Sequence, residues 1–296
     1  MIRDRSGSVE AFHTNWSRRL KSKHFYFKRG TPENQVQFAF QNHWRVFRQI
    51  LNEIRSGRVL EIGCGRGSMS AFLADAGFEV YLLDISPMVL QIARENFSAN
   101  GLKGYYICGD ALALPYSSGT FDVVLSIGLL EHFAEIERPL SEQVRVLKPG
   151  GVLLGYIVPE QAISVQTMAL PLNCVLRLGY TVYRVLKKDI SDQDGQAKVP
   201  LYRNHYKARH YLSVLHRLGI EKAGSFGMFP LPLISHSPDF PFTPMAAPLE
   251  RTLVRLWQLL LTARSGQRHD PWMCSEGWGL AFSVWAKKGR PNDSKE

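Results

Sequence analysis

The chain has 296 residues, 45% of them hydrophobic, and a formal net charge of +10, which is ample apolar material for one large α/β domain or two small ones. It contains no uninterrupted apolar run of about 18 residues, which excludes a simple transmembrane helix. Cys64, Cys108, Cys174 and Cys274 form no C-x-x-C pair and no metal-ligand spacing, so neither a metal nor a disulfide framework is expected.

Charge is distributed unevenly. Residues 1–60 carry a net +8, residues 61–157 a net −5 and residues 158–296 a net +7. Basic flanks suit an anionic substrate, a membrane surface, nucleic acid or plain solvation. An acidic centre suits a cationic ligand.

Residues 1–30 are polar and basic with scattered aromatics. They lack the charged, apolar, small-residue order of a signal peptide, so a cytoplasmic location is expected. Thr31 as cap, Pro32 as first residue and Glu33 in the first turn predict a helix start. Phe40, Trp44, Phe47, Leu51 and Ile54 then recur at steps of four and three, an apolar stripe for packing on a sheet.

Next comes the most informative run, Val59-Leu60-Glu61-Ile62-Gly63-Cys64-Gly65-Arg66-Gly67. It reads as a buried strand, an acid near its end, and a turn whose alternate residues lack side chains. Such a turn tolerates positive φ and close approach of a ligand to the backbone. A helix follows, so the amides point at the mouth of an α/β sheet. The position that a dinucleotide fingerprint reserves for a third small packing residue is Ser68. Asp84 ends the next strand and can accept from two ribose hydroxyls. Together these residues predict a site for a nucleoside with a free ribose.

The chain then alternates strand and helix: strands 58–62, 79–83, 104–108, 121–126 and 151–157, with helices 68–76, 87–99 and 135–147. Ser86-Pro87 predicts the cap and first residue of the second helix. Such alternation implies a mostly parallel sheet with helices on both faces. A ligand then sits outside the carboxyl ends of the strands, where strand order reverses.

Gly109-Asp110-Ala111, Leu114-Pro115, Phe121-Asp122-Val123-Val124, Leu130-Glu131-His132 and Arg145-Val146-Leu147-Lys148-Pro149-Gly150-Gly151 follow the glycine turn in order. With that turn, they closely resemble the class I S-adenosylmethionine-dependent methyltransferases, in the type 11 branch that includes quinone and natural-product methylases. The resemblance runs from Val59 to Ile157 and fades outside it. It implies a doubly wound, Rossmann-like, seven-stranded sheet with one antiparallel strand. It also implies that Glu61, Gly63, Cys64 and Gly65 hold the amino-acid part of S-adenosylmethionine, or of its product S-adenosylhomocysteine. Asp84 would bind the ribose, and Ile85 and Met88 would lie against the adenine. Asp110 would accept from the adenine amine, with Ala111 offering its amide. Ser126 and Ile127 would contact the methionine part. Asp110 also suits a plain turn cap, Met88 plain core and Ser126 a plain strand end.

His132, directly after the fourth strand, is the candidate general base, because an imidazole titrates in the useful range. A packing histidine is the alternative. Glu131 is expected to turn away. Tyr26, His43, His205, Tyr206, Tyr211 and His236 form a second tier.

After Pro159 the pattern changes. Leu172, Val175, Leu176, Gly179, Val182, Tyr183 and Leu186 share one helical face, and Arg177, Arg184 and Lys188 another. This amphipathic basic helix, 172–188, reads as a substrate lid, a membrane-surface helix or an oligomer contact. Residues 189–205 read as a polar loop, Tyr206 to Leu218 as a helix stopped by Gly219, and Ile220 to Phe226 as a strand. A helix from Pro248 to Thr262, a last strand from Gly279 to Ala286 and a charged tail complete the chain.

The expected organisation is an N-terminal helical extension (1–55), a cofactor core (56–158), a helical insertion (159–205), completion of the sheet (206–228 and 278–288) and a second insertion (229–277). A dehydrogenase has no role for the Arg145–Gly151 run. An amino-methylating nucleic-acid enzyme carries N/D-P-P-[YF] where Ser126-Ile127-Gly128-Leu129 stands. The expected activity is methyl transfer to O, N or C of a small, bulky or hydrophobic molecule such as a quinone, polyketide, terpenoid or lipid. Methylation of RNA or another anionic polymer, using the basic flanks, is the alternative.

Overall fold

The computed structural model describes residues 10, 12, 14–16, 26–187, 201–238, 240–241, 243–266 and 269–290. Lys188, residues 189–200 of the expected polar loop, and the end of the charged tail lie outside them.

Helix α1 (Gln35–Ile50) precedes the alternating core of β1 (Arg58–Ile62), α2 (Ser68–Asp75), β2 (Glu79–Asp84), α3 (Pro87–Ala99) and β3 (Tyr105–Cys108). There follow β4 (Phe121–Ile127), a 3₁₀ turn (Leu130–His132), α4 (Glu137–Val146) and β5 (Leu147–Ile157). Then come α5 (Val165–Met168), α6 (Leu170–Leu186), α7 (Ala208–Arg217), β6 (Lys222–Met228), α8 (Ala247–Arg264), β7 (Met273–Cys274) and β8 (Ala281–Lys287).

The strands form one sheet in the order β3-β2-β1-β4-β5-β8-β6-β7. The pairs β3/β2, β2/β1, β1/β4 and β4/β5 are parallel, while β8 runs antiparallel to both β5 and β6. Among the described residues the sheet has eight strands where seven were expected. Met273-Cys274 pairs antiparallel with Met228 and Gly227, and two residues are too few for a period of two to show. Strand order reverses between β1 and β4, so their carboxyl ends frame the ligand crevice of such folds.

Two buried clusters cover the faces. Val46 and Phe47 of α1, Met69 and Phe72 of α2, Phe97 of α3 and Trp257 of α8 pack on one face with Leu82, Val123 and Leu154. Leu140 and Val144 of α4 and Tyr211 and Leu215 of α7 pack on the other with Leu60, Val124 and Leu153.

Helix α1 starts three residues later than expected. Asn34, not Thr31, is the cap, and its Oδ1 accepts from Val36 N (3.1 Å) and Gln37 N (2.9 Å), which satisfies two otherwise orphaned amides. Gln35 then enters a buried junction. Its Nε2 donates to Ile234 O (2.9 Å), and its Oε1 accepts from Ile234 N (3.1 Å) and Trp257 Nε1 (3.2 Å). Its backbone amide donates to Glu250 Oε2 (3.0 Å). The region after β6 is thereby tied into the core.

Ser86 caps α3 in backbone conformation, but its side chain makes no capping bond. Its own amide instead donates to Asp84 Oδ1 at 3.0 Å. Gly219 ends α7 with φ +81°, the left-handed stop the sequence predicts.

Candidate functional site

The glycine turn follows β1. Gly63, Gly65 and Gly67 have φ of +66°, +53° and +65°. A Cβ at Gly63 would stand 2.8 Å from Leu129 Cδ1, and one at Gly67 would stand 2.6 Å from Leu82 Cδ2. Glycine is therefore required twice over, by conformation and by space. The amides of Gly63 and Cys64 donate to Leu83 O at 2.8 and 3.1 Å, which binds the turn to the end of β2.

Asp84, at that end, accepts from Gly65 N through Oδ2 at 3.2 Å. Glu61 lies beneath the turn and is buried. Its Oε2 accepts from Ser70 N at 3.0 Å and from the Ser70 hydroxyl. Burial, opposed by the Ser70 bonds, raises its pKa to about 7. Cys64 is buried too, and burial raises its thiol pKa well above the ordinary range, the behaviour of a small hydrophobe.

Along the crevice, Ile85 is exposed and Met88 half-buried. Asp110 Oδ1 accepts from Leu112 N at 2.9 Å, the turn-cap geometry, and Ala111 is buried beside it. Ser126 and Ile127 end β4. Ser126 is 1% exposed, and its Oγ has no hydrogen-bond partner among the described residues.

His132 comes next. Its Nδ1 lies 2.7 Å from Tyr202 O. A carbonyl only accepts, so Nδ1 carries the proton and the neutral ring keeps its lone pair on Nε2. Burial lowers its pKa, a shift that the Tyr202 carbonyl opposes and Arg203 reinforces. The ring meets Phe12 edge-on at 4.9 Å. One helical turn along, Trp16 covers the glycine turn. A Cβ on Gly65 would stand 3.3 Å from Trp16, and the Arg66 guanidinium lies 5.8 Å from the Trp16 ring. One face of a short helical segment thus spans from His132 to Gly65.

Glu131 is buried with its Oε1 accepting from Val158 N at 3.3 Å, while Oε2 has no partner among the described residues. Burial raises its pKa to about 7. An unsatisfied buried carboxyl oxygen beside a crevice is costly in a resting fold and is available to a ligand.

The second-tier residues separate. Tyr26 stays near the turn, 6.0 Å from the Arg66 guanidinium. His43 is buried, accepts from Trp272 Nε1 at 2.9 Å and stands 4.7 Å from the Tyr156 ring. Tyr206 donates to Ala134 O, and Tyr211 donates to Asn204 Oδ1. His205 is at the surface beside Glu160. His236 stacks on Tyr180 of α6 at 3.9 Å.

Sequence reasoning missed Asn204. Its Nδ2 donates to Leu130 O (3.1 Å) and Phe133 O (2.9 Å), and its amide to Glu131 O (2.7 Å). It clamps the 3₁₀ turn that carries Glu131 and His132. A lone asparagine in a polar stretch gives no local signal of this.

The residues fit an adenosyl cofactor with a cationic centre. The turn has no room for a side chain at Gly63 or Gly67, the acids beside it are Glu61 and Asp84, and Ser126 Oγ and Glu131 Oε2 are buried acceptors without partners among the described residues.

Comparison with known proteins agrees. A methyltransferase domain model matches residues 60–155. The chain is 39% identical over 99 residues to demethylmenaquinone methyltransferase of Thermus thermophilus, covering 33% of this chain and 45% of that protein. It is 37% identical over 128 residues to malonyl-[acyl-carrier protein] O-methyltransferase of Salmonella typhimurium (43% and 49%). It is 30% identical over 135 residues to 24-methylenesterol C-methyltransferase 2 of rice, Oryza sativa subsp. japonica (45% and 37%). The chain thus spans less than half the length of each of these relatives. A solved methyltransferase–activator complex of Haloferax volcanii shares the fold, with TM-score 0.50 and 18% identity over 84% of this chain and 91% of that one.

Proposed function

We propose, from the premise that residues 60–155 are a class I methyltransferase domain, that this protein transfers the methyl group of S-adenosylmethionine to a small, hydrophobic acceptor. The observation that carries the reading is the meeting of the glycine turn, Asp84 and the buried acceptors Glu61, Ser126 Oγ and Glu131 Oε2 around the ends of β1 and β4.

When bound, S-adenosylmethionine supplies a methyl group on cationic sulfur together with its own leaving group. The chain's part is to bind, orient, exclude water and take a proton. Glu61 and the glycine turn hold the amino-acid end, Asp84 the ribose, and Ile85, Met88, Asp110 and Ala111 the base. Ser126 and Ile127 flank the methionine part. Trp16 and Phe12 cover the crevice and keep water from the transfer. His132, with Nδ1–H fixed on Tyr202 O, offers Nε2 to the proton of an acceptor hydroxyl, amine or acidic carbon. The Asn204 clamp on its turn supplies the rigidity that in-line transfer requires.

The hydrophobic acceptor is supported by the aromatic cover and by the apolar helices that follow the core. Relatives named for a quinone and a sterol point the same way. The RNA reading uses the basic flanks, but Arg251 and Arg255 of α8 stand among exposed leucines, and the one aromatic of that helix, Trp257, is buried.

The test has two parts. Calorimetry with S-adenosylhomocysteine should show one-site binding. Incubation of a metabolite extract with the enzyme and methyl-labelled cofactor should then place label in the organic-soluble fraction. No cofactor binding, or label confined to RNA, would overturn the reading.

A further inference from the structure

Two helices turn apolar sides outward. Asn173 is the one buried residue of the 17-residue α6. Its side chain holds the 233–235 segment, donating to Leu233 O (3.0 Å) and accepting from Ser235 N (3.0 Å). Tyr180 adds its stack on His236. At about 100° per residue, these anchors lie on one side of the helix. Val175, Leu178, Val182 and Val185 lie on the other, 67%, 68%, 50% and 68% exposed. Helix α8 repeats the arrangement. Val254, Trp257 and Leu261 face inward, while Leu249, Leu256, Leu259 and Leu260 are exposed. Both helices are tied to one short stretch, since Glu250 of α8 meets Gln35, which in turn holds Ile234.

The charges on these helices have one sign. Helix α6 contains no acid, and the one acid of α8, Glu250, is 1% exposed and accepts from Gln35 N and Met245 N. Arg251 and Arg255 are exposed beside the leucines of α8, and Lys187 is exposed at the end of α6. Among the described residues, no helix is long and apolar enough to cross a membrane.

We propose that the outward faces of α6 and α8 dock on the surface of an anionic lipid bilayer. Their apolar side chains enter the boundary between headgroups and acyl chains, and Arg251 and Arg255 of α8 meet lipid phosphates. Exposed apolar area concentrated in this way marks an interaction surface. Charge selects the occupant. A self-contact through this face would set cations against cations, whereas an anionic bilayer matches them. Width points the same way, because exposed Leu172 and Leu186 broaden the α6 face beyond the narrow seam that suits a paired helix. The inference stands apart from the methyl-transfer reading.

Flotation of the full chain with vesicles tests it. Vesicles of phosphatidylcholine with one quarter phosphatidylglycerol should carry the protein upward, and phosphatidylcholine alone should carry at least about tenfold less. Leu178→Ser with Val185→Ser, and separately Arg251→Gln with Arg255→Gln, should each lower flotation by about tenfold or more, with melting temperature unchanged. Protein left in the buffer with anionic vesicles, or folded variants that float like wild type, would overturn the proposal. Light scattering that shows a dimer dissolved by the α6 pair, without flotation, would overturn it in favour of a second copy.

Discussion

The indole nitrogen of Trp272 donates to Nδ1 of His43 at 2.9 Å, joining residues 229 positions apart in a buried pair. The bond assigns the ring's proton to Nε2. Burial lowers the His43 pKa to about 3. The unfolded chain therefore binds a proton that the native state refuses between about pH 6.5 and 3. This contribution to stability is fully present above pH 6.5 and is lost as pH falls, by about 1.4 kcal/mol per unit. Denaturant titrations of wild type and His43→Leu from neutral to mildly acidic pH should show the wild type losing stability more steeply.

Glu131 shifts in the opposite sense. Its raised pKa, about 7, means the native state keeps a proton that the unfolded chain releases above about pH 4.5. Stability from this group is present below 4.5 and lost as pH rises through 7. Glu131→Gln keeps an acceptor for Val158 N and removes the titration. Its stability relative to wild type should grow by about 1.4 kcal/mol per pH unit across that window and level off above it, read from denaturant midpoints.

Asp84→Ala should weaken binding of S-adenosylhomocysteine by roughly 1–3 kcal/mol, the scale of hydrogen bonds to a charged group. Gly65 N loses its acceptor in the same variant. Calorimetry on the folded variant checks this, and unchanged affinity would remove Asp84 from the ribose site.

His132→Ala should lower turnover by about 10²-fold while leaving cofactor affinity near wild type. A packing histidine would instead show itself as a lower melting temperature with ordinary turnover. Measuring kcat, affinity and melting temperature on one preparation separates the two.

Asn204→Ala should cost about 2–4 kcal/mol, because it strips the buried Leu130 and Phe133 carbonyls of a donor and the Tyr211 hydroxyl of an acceptor. Thermal unfolding reads the loss. A fall in turnover larger than that from a distant variant of equal instability would tie the clamp to the geometry of His132.

The parts of the site legible in the sequence are those built from neighbours. Glycines at alternate positions, an acid at a strand end and a proline at a helix start are local solutions to local problems. The bounds of β1 and α3 accordingly fall where the periodicity and caps put them. What was illegible depends on partners remote in the chain. Nothing near Thr31 shows that Gln35 will be drawn towards Ile234 and Glu250, moving the helix start to Asn34. Nothing in Tyr202–Asn204 announces a contact some 70 residues back with the turn at His132. The burial of Glu131 and its bond from Val158 N depend on a partner 27 residues away, just past β5, and not on local spacing.

The junction at Gln35 sets the order of events during synthesis. Helix α1 leaves the ribosome before any strand of the sheet, yet the groups that bind it, Glu250, Trp257, Asp270 and Trp272, follow more than 200 residues later. Until then its apolar stripe is covered by the growing sheet, by Phe72 of α2 and by Tyr26. A nascent chain halted before residue 245 therefore holds a parallel core with an unfinished roof, the kind of species that chaperones recognise. Emergence of the 250–272 segment is the step that completes the cover of α1.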